Sequence, residues 1–415
     1  MITVAFSNSK KSCFFITILE CIVDYNGFSQ FIIGIHNEND LVVFDKFDKT
    51  YGDKVDYWHK TKIIGKNIVL LSSPKFKIGI EELLKFLKLD FKIITKNWND
   101  PLMQKNKKSK RHVRGNKINL EVFHSYNDSI HYFEYLESKY KDIVEINDLG
   151  ITSNGRIIKY ITIGYKTDKK KPIVIIESGA HGREWITQSS ILIFIDNLIK
   201  NRNLYNKLFK KLNIIIIPSL NPDGYEYSRE KDRMWRGNRN IKSNNCGVDI
   251  NRNFDFKWKK DYEVCETYSG EKPNSENETL GFVNLVKNNI NYIKGYLSLH
   301  SYGRYIIYPW SYEKKTYTKE HDEIVMLAKK MIFDIKKETN ASYIHGTAAD
   351  ILYNSYGCAL DYMKSLGVKY TYALEIAPSD GLYNGFIVSE DLILPASKEF
   401  EVAAVKFLNQ IYEEF

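Results

Sequence analysis

Glu177-Ser-Gly-Ala-His-Gly-Arg-Glu-Trp185 follows a short β-branched run, Ile173-Val-Ile-Ile176, and precedes an apolar-periodic segment of helical length from Trp185 to about Lys200. That order predicts a buried strand, a glycine-containing turn and a helix. His181 and Glu184 stand three apart where the strand ends. The turn brings imidazole and carboxylate to the same side, so both can face one metal ion. Nitrogen and oxygen donors of this kind suit Zn2+, whose catalytic sites take three protein ligands plus water. A lone His-x-x-Glu is common by chance. Its meaning depends on whether the chain also supplies a third ligand, a base and a substrate clamp.

With 415 residues the chain can bury a large core, and its length predicts two or three domains. An apolar fraction of 43% with 27% charged residues is that of a soluble globular protein. The net charge of +9 is modest for this size, and nucleic-acid binding calls for a clustered basic face. No apolar run reaches the length of a transmembrane helix. Residues 1–26 form a possible signal region: Lys10-Lys11 and the apolar stretch Cys13 to Val23 have its pattern, although Glu20 interrupts the core and no clean cleavage site follows. Of the five cysteines, Cys13 and Cys21 lie there. Cys246 and Cys265 are spaced to close a short loop, which suits a disulfide in an oxidising compartment, and Cys358 is left over. Asn127, Asn277 and Asn340 begin glycosylation sequons, which are frequent by chance in an Asn-rich chain.

Residues 27–100 read as a small α/β unit. Phe31–Ile35, Leu41–Phe44, Asn67–Leu71 and Phe91–Ile94 have strand character, and Ile80 to Leu89 has a helical apolar stripe. Residues 101–116 then lack acidic side chains while Lys105, Lys107, Lys108, Lys110, Arg111 and Arg114 crowd together. Such a block stays extended and exposed. It is a solvated linker, or one made to be cut by a protease preferring Lys or Arg. A nucleic-acid patch ranks last, because no aromatic residues interleave with the charges.

Residues 117–415 alternate apolar strands (Ile157–Ile163, Ile173–Ile176, Ile214–Ile217, Tyr296–His300, Tyr370–Glu375) with helical segments. The expected fold is α/β, a mixed and mostly covered sheet flanked by helices. Ligands of such sheets sit outside the carboxyl ends of strands. His181, His300 and Glu375 each fall at or just beyond such an end. His300 can thus supply a third metal ligand, and Asp249, Asn251 and Arg252 on Cys246-Gly-Val-Asp-Ile-Asn-Arg-Asn253 include an amide and a guanidinium able to bind a carboxylate.

With these motifs in order, the chain resembles a zinc metallocarboxypeptidase of the pancreatic carboxypeptidase A/B family in its procarboxypeptidase form. His181-Gly-Arg-Glu184 resembles the first metal motif of that family and Leu299-His-Ser-Tyr302 the second. Met234-Trp-Arg-Gly237 carries its arginine at Arg236, Leu352-Tyr-Asn-Ser-Tyr-Gly357 its mobile tyrosine at Tyr353, and Tyr372-Ala-Leu-Glu375 its glutamate. The small N-terminal unit matches the pro-segment by position and size.

The resemblance implies one Zn2+ on His181, Glu184 and His300, with Asp249 orienting His181 as an outer carboxylate. It implies Glu375 as general base and Arg236 as oxyanion stabiliser. Asn251, Arg252 and Tyr353 would hold the free α-carboxylate of the substrate, with Arg183 and Tyr302 further along the peptide. The family's specificity position falls on Leu360, where a carboxylate would select Lys or Arg; leucine implies apolar C-terminal residues. Cys358 stands where the family usually has glycine, and Cys246 lies one residue closer to Asn251 than in the family. The implied protein is a secreted, monomeric zymogen acting on peptide C-termini, activated by a trypsin-like protease within 105–114, with no nucleic-acid or membrane partner. The alternative reading is a non-catalytic peptide-binding protein on the same scaffold, which a lost ligand or base would favour. An intracellular peptidase is a further alternative.

Overall fold

The computed structural model describes residues 23–95, 98, 118–241, 246–261, 264–378 and 385–415. The basic linker at 101–116, Cys13, Cys21 and most of the signal-like stretch lie outside them. The small N-terminal unit contains strands β1 (Ser29–Gly34), β2 (Asp56–His59), β3 (Asn67–Ser72) and β4 (Phe91–Thr95) and helices α1 (Glu38–Tyr51) and α2 (Lys77–Phe86). Its antiparallel sheet runs β2-β3-β1-β4. Phe44 and Phe47 of α1 and Ile80 and Leu84 of α2 share a core with Phe31, Ile33, Ile68 and Leu70.

Leu41–Phe44, expected as a strand, lies inside α1. The β-branched pair Val42-Val43 favours a strand locally, but Leu41, Phe44, Phe47 and Tyr51 repeat at helical spacing and give one apolar face. Asn37 fixes the start, its side chain accepting the Asp40 amide at 3.1 Å.

Among the described residues the larger unit is built on eight strands: β5 (Val144–Ile151), β6 (Ile157–Ile163), β7 (Ile173–Ser178), β8 (Asn213–Ile217), β9 (Ile293–Ser301), β10 (Tyr305–Tyr308), β11 (Ile344–Thr347) and β12 (Tyr370–Ile376). Their order is β11-β10-β12-β9-β7-β8-β6-β5. The central strands β12, β9, β7 and β8 are mutually parallel, the β5–β6, β6–β8 and β10–β12 pairs are antiparallel, and β11 pairs parallel with β10. The sheet is therefore mixed, as expected. Its helices are α3 (Tyr126–Lys139), α4 (Trp185–Lys200), α5 (Asn206–Lys211), α6 (Pro222–Glu230), α7 (Asn277–Asn289), α8 (His321–Thr339), α9 (Ala348–Ile351), α10 (Ala359–Ser365) and α11 (Ile393–Glu414).

Every residue of β7 is buried. Val174 and Ile176 join one core with residues of α3, α4, α8 and α11, whereas Ile173 and Ile175 join a second core with Phe282 of α7 and Met363 of α10. A strand covered on both faces has no polar side to show, so its sequence is a continuous apolar run. Each fully buried aliphatic side chain contributes roughly 1.5–3 kcal/mol. This double layer holds the carboxyl ends of β7, β9 and β12 rigidly side by side.

Candidate metal and substrate site

The turn after β7 carries His181 and Glu184, and Glu184 is the residue before α4. Gly182 is required there: a Cβ would run into the carbonyl group of Gly224. Across the parallel β7–β9 pairing, Ser178 stands opposite Leu299, which puts His300 beside the turn. His181 Nδ1 lies 2.7 Å from Glu184 Oε1 and 3.2 Å from His300 Nδ1, and His300 Nδ1 lies 3.2 Å from Glu184 Oε2. The three residues are 3%, 4% and 3% exposed for His181, Glu184 and His300.

This set fits a zinc ion. With Zn–N distances of about 2.0–2.1 Å, two nitrogens of a tetrahedral site stand roughly 3.3–3.4 Å apart, close to the separation of the two Nδ1 atoms. His181 Nε2 is 3.1 Å from Asp249 Oδ1, where a carboxylate can fix the tautomer of an imidazole that faces a metal. The Ser301 amide donates to Glu184 Oε2 at 3.1 Å and so orients that carboxylate. Burial would raise the Glu184 pKa, but the charges and hydrogen bonds of His181 and His300 override it and hold the carboxyl well below the usual range. Burial likewise lowers the His300 pKa, yet Glu184, with Glu375 behind it, pushes the imidazole up to about 9. The cluster attracts positive charge.

Glu375 stands directly opposite His300 in the β12–β9 pairing. Burial, aided by the Glu184 charge, pushes its carboxyl up to about 7 against the lowering influence of His300 and Arg236. Arg236 donates from Nε and Nη2 to Asp249 Oδ2 at 3.0 and 2.9 Å, and its Nη1 stands 3.8 Å from Glu184 Oε1. Asp249 is thus shared between an imidazole and a guanidinium. Although burial opposes ionisation, Arg236, His181 and Arg252 keep it charged.

Next to the cluster, Arg252 Nη2 donates to the Tyr353 hydroxyl at 3.4 Å and Nη1 to the Asn251 carbonyl at 2.8 Å. Asn251 Oδ1 accepts the Ala359 amide at 2.9 Å. Ile307, Ala348, Leu360 and Ala373 form an apolar wall with Tyr305. His181, Arg183, Glu184, Arg236, Asn251, Arg252, His300, Tyr302, Tyr353, Leu360 and Glu375 all line a single cleft of about 1230 Å3. Only Asp249 stands behind it, fully buried. Every site residue expected from the sequence is therefore gathered in one place. Cys246 and Cys265 form a disulfide, with Cα atoms 5.3 Å apart.

The same cleft is lined by residues that sequence reasoning did not single out. Asp56 of β2 accepts Arg183 Nη1 on both oxygens, at 2.9 and 2.7 Å. Trp58 packs edge-on to Phe386, with centroids 6.1 Å apart, and Phe386 in turn meets the Tyr302 ring at 5.0 Å. His59 Nε2 lies 3.0 Å from the Tyr305 hydroxyl. Further on, the Lys62 amide and the Thr61 hydroxyl donate to the Ile351 carbonyl at 3.2 and 3.3 Å, and Lys62 Nζ to the Ala349 carbonyl at 3.0 Å. Asp56-Tyr-Trp-His59 has no catalytic spacing, and a short edge strand leaves little periodicity to read.

A family model described as zinc carboxypeptidase matches residues 129–402. The chain belongs to the zinc carboxypeptidase family. As a zinc carboxypeptidase it is a metallo-hydrolase, and the family's zinc finds a chemically suitable His-Glu-His set here. It is 30% identical to carboxypeptidase B2 of Bos taurus over 335 residues, 78% of each chain. To mast cell carboxypeptidase A of Rattus norvegicus it is 27% identical over 399 residues, 93% of this chain and 95% of that one. The crystal structure of thrombin activatable fibrinolysis inhibitor superposes with a TM-score of 0.80 at 26% identity, covering 94% of this chain and all (100%) of the other. The likeness to that structure accordingly extends through both units. Among the described residues no helix is long and apolar enough to cross a membrane.

Proposed function

We propose that this chain is the zymogen of a secreted, monomeric zinc carboxypeptidase that releases single apolar residues from peptide C-termini. Residues 27–100 are read as the activation unit, 101–116 as the linker cut by a trypsin-like protease, and 117–415 as the catalytic domain. The observation that carries this reading is the juxtaposition, in one cleft, of the His181–Glu184–His300 cluster, Glu375 and the Arg252–Tyr353 pair.

The chemistry supplied by zinc on the cluster is polarisation of the scissile carbonyl and acidification of a water. Glu375 takes the proton of the attacking water on its carboxylate and delivers it to the departing amine. A carboxyl pushed up to about 7 is matched to that exchange near neutral pH. Arg236, fixed through Nε and Nη2 by Asp249, keeps Nη1 for the developing oxyanion. Arg252, Asn251 and Tyr353 bind the terminal carboxylate, which confines cleavage to the last peptide bond. Leu360 and its apolar neighbours receive the departing side chain, and no carboxylate stands at Leu360 to draw Lys or Arg.

The zymogen reading is supported by the way β2 lines the cleft and Lys62 follows it: Asp56 neutralises Arg183, and Lys62 bonds to the segment that leads into Tyr353. The test is release of C-terminal Phe, Leu, Arg and Glu from matched peptides, before and after limited trypsin treatment, with and without a zinc chelator. Chelator-sensitive Phe or Leu release that appears after trypsin supports the reading. Arg release instead would keep the enzyme and refute the role given to Leu360, and release before trypsin would refute the zymogen.

A further inference from the structure

Cys358, immediately before α10, lines the same cleft as the Arg252–Tyr353 pair and the apolar wall. Its thiol donates to Ser355 Oγ at 3.2 Å and receives Arg252 Nη1 at 3.6 Å, and the residue is 3% exposed. Burial holds the thiol above its usual range, so it stays neutral and acts as a small apolar group with a weak polar handle. The backbone around it has no room to retreat. Gly357 has φ +64°, and a Cβ there would strike the Arg252 carbonyl. On the other side, the Ala359 amide is tied to Asn251 Oδ1 at 2.9 Å. The sulfur is therefore pinned at both ends within the cleft lined by Leu360, Ala373 and Ile307. Ser311, which lines the same cleft, cannot yield readily either, since its amide and hydroxyl are bound to Asp361.

A glycine at 358 would leave the volume of Cβ and Sγ to the substrate, next to the groups proposed to hold its α-carboxylate. Resting on the carboxypeptidase reading above, we propose that Cys358 limits the size of the departing C-terminal side chain, so that leucine- and valine-sized residues are released in preference to tryptophan. Leu360 then sets the polarity of the pocket and Cys358 its depth. The discrimination is steric: in a close-packed pocket with a fixed wall, the extra ring must displace bound side chains. A difference of even one methylene in such a pocket is worth roughly 10–200-fold in kcat/KM.

The experiment uses the full chain after limited trypsin treatment, and compares kcat/KM for two peptides differing only in C-terminal Leu or Trp. Wild type, Cys358→Gly, Cys358→Ala and Cys358→Ser are tested, each checked for folding by its thermal melt. The Trp/Leu ratio is expected to rise roughly tenfold or more in Cys358→Gly, to a smaller extent in Cys358→Ala, and little in Cys358→Ser, which keeps a side chain of similar length. If the glycine variant does not fold, the alanine variant carries the same test. A ratio unchanged in both folded variants overturns the proposal while leaving the carboxypeptidase intact. A serine variant that relaxes as far as glycine overturns it too, because thiol chemistry rather than size would then be responsible. No release of Leu by any protein, wild type included, would instead remove the activity on which the proposal rests.

Discussion

Asp56 of the N-terminal unit holds Arg183 of the large cleft through both carboxylate oxygens, at 2.9 and 2.7 Å from the same guanidinium nitrogen. The arginine is 2% exposed, so its charge depends on that partner while the unit is seated. Truncating one member of a buried charge pair costs about 2–5 kcal/mol. Asp56→Ala is therefore expected to loosen the N-terminal unit by at least roughly tenfold and to raise turnover of a small peptide by the uncut chain. Residual activity equal to that of the uncut wild type would show that the pair does not secure the unit.

The sharing of Asp249 between His181 and Arg236 leads to a second expectation. Outer-shell carboxylates of this kind are worth about 10–100-fold in metal affinity. Asp249→Asn should weaken zinc binding by that factor in competition with a chromogenic chelator, and zinc should restore what the chelator removes from wild type. An Asn variant that holds zinc as tightly as wild type would contradict the role given to Asp249.

Glu375 offers a cleaner separation of binding from chemistry. Glu375→Gln keeps the shape and removes the proton acceptor, so kcat should fall by about 10²–10⁴-fold while KM for a Leu-terminated peptide changes little. A KM effect of the same size as the kcat effect would assign Glu375 to substrate binding.

Away from the cleft, Glu278 tests the electrostatics of the fold. It is fully buried; Oε2 receives Asn238 at 3.2 Å, and Oε1 has no hydrogen-bond partner among the described residues. Burial pushes its carboxyl from 4.5 up to about 7. Between those values the folded chain keeps a proton that the unfolded chain has lost, so stability falls as pH rises through this window and stays lower above it. The full cost is about 3 kcal/mol. Glu278→Gln should thus raise Tm more at about pH 8 than at about pH 5. An equal shift at both would mean that the carboxyl is not perturbed in the folded protein.

Much of the cleft was legible because its chemistry sits at strand ends. The run Ile173–Ile176 reads as a covered strand, the helix from Trp185 to Lys200 has the bounds expected for it, and His181, His300 and Glu375 follow from where strands stop. Two kinds of feature were hidden. Leu41–Phe44 has strand propensity but helical spacing, and the tertiary contacts of Phe44 and Phe47 decide in favour of helix. Asp56, Trp58 and His59 lie on a short edge strand of one unit and act on the other, a relationship no local pattern encodes. The short strands β10 and β11 likewise escaped notice, each only four residues long. The expectation of a cut within 105–114 falls on residues outside those described.

The pairing of His300 with Glu375 on adjacent parallel strands has a broader consequence. A proposed metal ligand and a proposed base hang on one rung of the ladder, from adjacent strands, so strand spacing sets their separation before any loop is chosen. The groups proposed to select the substrate, Tyr353, Cys358 and Leu360, belong instead to the segment between β11 and β12. Reactivity and preference are thereby written into different parts of the chain, and the second can drift without eroding the first.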